Sequence, residues 1–141
     1  MIIAIDFDGT VVEHKYPEIG RELPFATATL KQLLKDGHKL ILWSVREGKL
    51  LDDAVAWCEE RGVHFHAVNR DIDEDDTDKP GSKHFSRKIK AHMFIDDRNV
   101  GGLPDWGSIY QMVSQKISYE KFLQQQNAND SGSKKKSWWR F

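Results

Sequence analysis

Asp6 and Asp8 stand two residues apart directly after the apolar run MIIAI, and Asp96 and Asp97 stand side by side directly after HMFI. At the end of a strand, side chains at i and i+2 point the same way. Carboxylates brought together repel one another and raise each other's pKa values. A hard divalent cation removes that repulsion, and a set of oxygen donors favours Mg²⁺. Asp is also common at helix N-caps and in solvated loops, and a single Asp-x-Asp would be no more than that. A second acidic pair after another apolar run points to a metal site held by Asp6, Asp8, Asp96 and Asp97. Ser44 follows a third such run, HKLILW (38–43), and adds a hydroxyl to the group.

The elements that must position these residues follow from the periodicity. MIIAI (1–5), HKLILW (38–43), VHFHAV (63–68) and HMFI (92–95) read as strands, the first two buried on both faces and the third nearer an edge. Phe25, Leu30, Leu33 and Leu34 share one face of a helix that begins at Pro24 and stops at Gly37. Leu51, Ala54, Val55 and Cys58 recur at helical spacing up to Gly62, and Ile109, Met112, Val113 and Ile117 do so in a helix that extends towards Leu123. Residues 11–23, with Pro17 and Gly20, read as a small flap, and 69–88 as a polar loop with at most a short helix. Strands alternating with helices predict an α/β fold: a three-layer, Rossmann-like parallel sheet flanked by helices. Ligands of such sheets bind beyond the carboxyl ends of the strands, near a switch in strand order. All the acidic residues and Ser44 fall on that edge.

The chain has 141 residues and a net charge of −1, which suits one ordinary core and offers no global attraction to nucleic acid or anionic membranes. Its single cysteine, Cys58, excludes an internal disulfide framework and suits a reducing compartment. No apolar stretch approaches a membrane span and no secretory leader is visible, so a cytoplasmic monomer or small homo-oligomer is expected. Residues 1–123 form the expected core. From Gln124 the chain becomes QQQNANDSGSKKKSWWRF, which reads as a low-complexity, disordered tail.

Together, DFDGTV (6–11), ILWSVR (41–46), SRKIK (86–90) and FIDDR (94–98) resemble the motifs of haloacid dehalogenase-like hydrolases. The resemblance spans about residues 1–113. It implies a phosphatase in which Asp6 is the nucleophile, forming an aspartyl-phosphate, and Asp8 is the general acid and base. It further implies that Ser44 binds the transferring phosphoryl group, that Asp96 and Asp97 hold Mg²⁺, and that the main-chain carbonyl of Asp8 joins them. The family places a Lys eight residues before the acidic pair, here Lys88, with Lys79, Lys83 and Lys90 as competitors. Thr10 and Arg46 complete the expected phosphate-binding set, a surface salt bridge being the alternative for Arg46.

Other residues admit plainer readings. Asn69 lines the pocket or caps a turn, and Arg98 orients the acidic pair rather than touching substrate. His14 and Tyr16 are exposed flap residues that could meet substrate. His64 and His66 lack the partners of a zinc set and read as sheet residues. The run DIDEDDTD (71–78) departs from a calcium loop at its sixth and twelfth positions, Asp76 and Ser82, and reads as solvated.

Neither gap between motifs is long enough for an independent cap domain. The expected substrate is therefore a phosphorylated small molecule or a macromolecule reaching an open site. The alternatives are an enzyme that processes phosphorylated ends of nucleic acid or protein, recruited by Lys134–Lys136 and the tail's aromatics, and a non-catalytic phosphate-binding module. Intact Asp6 and Asp8 argue against the last.

Overall fold

The computed structural model describes residues 1–73 and 88–138, with 132–138 described by their backbone. Lys79, Lys83, most of the acidic run 71–78 and Trp139–Phe141 lie outside the described residues. The elements are β1 (Ile2–Ile5), α1 (Ala26–Lys35), β2 (Lys39–Leu42), α2 (Gly48–Glu60), β3 (Ala67–Val68), β4 (Met93–Ile95), α3 (Trp106–Gln115) and α4 (Tyr119–Trp138). The chain divides into two compact units, Met1–Trp106 and Gly107–Phe141.

The first unit holds a parallel sheet ordered β3-β2-β1-β4, the Rossmann-like α/β class expected from the alternation. The chain runs outward from β1 to β2 to β3, then crosses back so that β4 pairs with the other side of β1. That reversal makes the β1/β4 boundary the switch point. In-register Ala4, Ile41, Ala67 and Phe94 line one face, and Ile72, Ile89 and Ala91 from the β3–β4 connection pack on it. Ile3, Ile5, Leu40 and Leu42 line the opposite face and are fully buried. Each such side chain contributes about 1.5–3 kcal/mol by leaving water, so the register of β1 and β2 is strongly specified.

The third strand is shorter than its sequence pattern. His64 stays exposed, and regular pairing with β2 begins only at Ala67; among the described residues β3 is the sheet edge, and 63–66 have no second strand to hold them. His66 is a sheet-edge residue as read, its Nδ1 taking the Leu40 N–H at 3.3 Å. Phe25 does not share the buried face of α1. It sits at the N-cap with φ 64°, and its ring is 75% exposed. Residues 13–21 close as a flap: the Glu13 N–H donates to Arg21 O and the Leu23 N–H to Val11 O. Gly20 is required there, since a Cβ would lie 2.1 Å from the Glu13 carbonyl oxygen.

In the second unit the helix expected to extend towards Leu123 is broken. Lys116 turns to φ 53° and ends α3, and Ser118 starts α4 by accepting the Lys121 N–H on its hydroxyl. Residues from Gln124, read as a disordered tail, continue α4 to Trp138. Its long side-chain formers (Glu120, Lys121, Gln124, Gln125, Gln126) favour helix locally even without an apolar stripe. No helix among the described residues is long and apolar enough to cross a membrane.

Candidate active site

The strand ladders run one step past the strand ends: Asp6 N–H donates to Ile95 O, Trp43 N–H to Ile5 O, and Asn69 N–H to Leu42 O. Asp6, Ser44, Asn69 and Asp96 thereby come to one sheet edge. They line a cleft of about 650 Å³ together with Asp8. The wall is completed by Trp43, Val45, Glu47 and Arg98, and by His14 and Tyr16 of the flap.

Asp6, Asp96 and Asp97 each offer a carboxylate oxygen, all within 4.8 Å of one another. Asp6 is pushed up to about 7, first by burial, then by the charge of Asp96; Thr10 and the Phe7 amide pull the other way, and Asp97 adds to the rise. The cluster repels itself, and three hard oxygen donors at this spacing fit a divalent cation such as Mg²⁺. The Asp8 side chain does not belong to that cluster.

The loop between β1 and the flap is built around Asp97. Gly9 has φ 83°, and a Cβ on it would lie 2.4 Å from Asp97 Oδ2. Thr10 is fully buried. Its hydroxyl lies 3.0 Å from Asp6 Oδ2 and 3.3 Å from Asp97 Oδ1, and accepts the Asp97 N–H at 3.0 Å. Its carbonyl accepts the Trp106 indole N–H at 3.1 Å. Thr10 therefore organises the carboxylates and is no phosphate ligand, contrary to the expectation from the motif.

Ser44 lines the cleft. Its Oγ accepts the Arg46 N–H at 3.1 Å, which leaves the hydroxyl proton to donate into the cleft, and its own N–H is held by Asn69 Oδ1 at 2.8 Å. Both readings of Asn69 hold at once: it lines the cleft, and with φ 53° it ties the β3 end to the Ser44 turn.

Arg46 departs most from expectation. It is 1% exposed and does not line the cleft. Nε and Nη2 donate to Asp8 Oδ2 and Oδ1, both at 2.7 Å. Nη1 donates to Pro17 O and Leu50 O, and Nη2 also to Glu18 O. Every guanidinium N–H is thus taken by the protein, and none is left for phosphate. The pairing with Asp8 raises Arg46 further above its ordinary value.

Arg98 takes the opposite course. Its main-chain N–H, at 2.8 Å from Asp96 Oδ1, orients the acidic pair, while its side chain is exposed and lines the cleft. Lys88 does not line the cleft; its Nζ lies 5.7 Å from the Phe94 ring centroid. Trp43 and Val45 lie within ILWSVR and Glu47 just after it, none of them expected as a cleft residue. Their signal was position alone, as the residues flanking Ser44 at a strand end.

A solved structure of a conserved protein from Bacteroides thetaiotaomicron matches with 57% sequence identity and a TM-score of 0.76, covering 85% of this chain and 94% of that one. The chain belongs to the family of that conserved protein. No protein-family model and no curated protein matches it.

Proposed function

We propose that the protein is a Mg²⁺-dependent phosphomonoesterase of the haloacid dehalogenase type that works through an aspartyl-phosphate on Asp6. The observation that carries this reading is the convergence of Asp6, Asp96 and Asp97 within 4.8 Å at the switch point of a parallel sheet, where Asp6 and Asp96 line a cleft with Ser44 and Asp8. Mg²⁺ held by Asp6, Asp96 and Asp97 would neutralise phosphoryl oxygens and the carboxylates together.

The side chains divide the remaining work. Asp6 attacks phosphorus while the bond to the leaving oxygen breaks. Ser44 donates its hydroxyl to a phosphoryl oxygen, and the Arg98 guanidinium stands at the cleft wall for another. Asp8 gives the leaving oxygen its proton, then takes one from the water that hydrolyses the aspartyl-phosphate, so the proton count closes over the cycle. Both Asp8 oxygens accept from Arg46, yet each keeps a second lone pair, and Asp8 reaches the cleft. The substrate is a phosphorylated small molecule or macromolecular end. Cys58, buried and pushed up to about 12, is chemically quiet and fits a cytoplasmic setting.

The test is turnover of a panel of phosphate esters, from aryl and alkyl phosphates to phosphorylated oligonucleotides and peptides, in Mg²⁺, with Asp6→Asn as control. Turnover by the wild type and none by Asp6→Asn is the expected result. Equal rates for the two on every ester would end the phosphatase reading.

A further inference from the structure

Arg46 poses a problem that the phosphatase reading leaves open. Burying a guanidinium is costly, and apolar residues of the same volume often hold a core as well or better than a buried ion pair. A buried Arg that spends every donor on protein groups therefore calls for a role beyond stability.

The groups it binds supply one. Two of its donors go to Asp8, which acts on the leaving group. Two more go to the Pro17 and Glu18 carbonyls, in the flap. Its Cζ also lies 5.3 Å from the ring centroids of Phe7, beside the nucleophile, and of Tyr16, on the flap. Such stacking helps fix the plane of the guanidinium. Tyr16 itself lines the cleft. One side chain thus touches the strand end, the acid and the flap without lining the cleft.

We propose that Arg46 is a positioning residue that locks Asp8 and the 13–20 flap into one unit, so that the group protonating the leaving oxygen and the wall meeting the leaving group's body are set together. This rests on the phosphatase reading for its catalytic half. The clamp itself rests on the contacts alone. A lysine cannot replace it: an ammonium has three donors without a planar fork, and cannot serve Asp8 bidentately while holding two flap carbonyls.

Two measurements on the full-length chain test it. The first compares kcat/KM in Mg²⁺, which covers phosphoryl transfer to Asp6 and not hydrolysis of the aspartyl-phosphate, on an alkyl phosphate, whose leaving oxygen needs a proton, and on 4-nitrophenyl phosphate, whose leaving group does not. Arg46→Lys should lose about a hundredfold on the alkyl ester and no more than about tenfold on the aryl one, the split expected when general acid catalysis is displaced. Asp8→Asn should show the same split, and the double variant should lose little more than either single one. The second measurement is amide hydrogen exchange of Glu13 and Leu23, which close the flap. Both should exchange faster in Arg46→Lys while β1 and β2 amides stay protected. If Arg46→Lys fails to fold, the exchange is read on Asp8→Asn/Arg46→Met, which leaves no buried charge unpaired.

Equal losses on both esters, or unchanged flap exchange, would overturn the proposal. If the wild type turns over no ester, the phosphatase reading falls and the exchange result alone decides the clamp.

Discussion

Asp97 lies so close over Gly9 that the site has no room for a side chain there: a Cβ would stand 2.4 Å from Oδ2 and 2.8 Å from the carboxyl carbon. Gly9 also holds φ 83°, a conformation that any other residue adopts at a cost. The glycine of the DFDGT motif is thus where the loop after β1 and the loop after β4 meet.

Gly9→Ala should therefore destabilise the protein by about 1–3 kcal/mol through strain, with displacement of Asp97 in addition. Chemical denaturation measures the first, and loss of Mg²⁺-induced thermal stabilisation measures the second. A variant that melts like the wild type and still responds to Mg²⁺ would show that the contact is slack.

Acidity at Asp6 gives a signed prediction. Its value in the folded protein, about 7, lies above the ordinary 3.8, so the native state holds this proton more tightly than the unfolded chain. In metal-free protein the contribution of Asp6 to stability falls as pH rises from about 4 to about 7. Asp6→Asn should flatten that fall in thermal melts. Mg²⁺ binding near neutral pH should release a proton, seen as a buffer-dependent enthalpy in calorimetry, and should tighten as pH rises through about 7.

Mg²⁺ should raise the melting temperature, since a ligand confined to the folded state adds about 2.7 kcal/mol at a hundred times its Kd. Asp96→Asn and Asp97→Asn should each weaken that response. Each neutral amide also relieves repulsion in the metal-free cluster, so the variants should be no less stable than the wild type without metal. Lower metal-free stability in both would mean that the cluster is structural.

Arg98 and Arg46 separate by exposure. Arg98→Ala should leave stability within about 0.5 kcal/mol, as exposed substitutions do. It should weaken inhibition by inorganic phosphate about tenfold, the loss of one charge-assisted hydrogen bond partly open to solvent. Steady-state inhibition and a urea melt on the same preparation check both halves.

The pattern of strands and acidic strand ends was legible because it depends on local facts. A short apolar run that stops at a polar residue ends at the rim of a buried sheet, so Asp6, Asp96 and Ser44 fell on one edge. What the chain could not disclose was which way a long side chain turns at that edge. Arg46 and Arg98 both follow a motif residue by two positions, yet one is buried against Asp8 and the other lies exposed along the cleft. Thr10 was hidden for the same reason, because its partner Asp97 is 87 positions away. The helical character of 124–138 is not legible in the sequence, since Asn127, Asn129, Asp130, Ser131 and Gly132 favour turns and no apolar stripe marks a helix face.

The indole of Trp106 donates to the carbonyl of Thr10, the residue whose hydroxyl steadies Asp6 and Asp97. An indole whose N–H is engaged and whose ring is buried emits according to that bond and that dryness. Trp106 is therefore an optical gauge of the loop after β1. Any event that shifts Thr10 would be written into its fluorescence, without any attached dye.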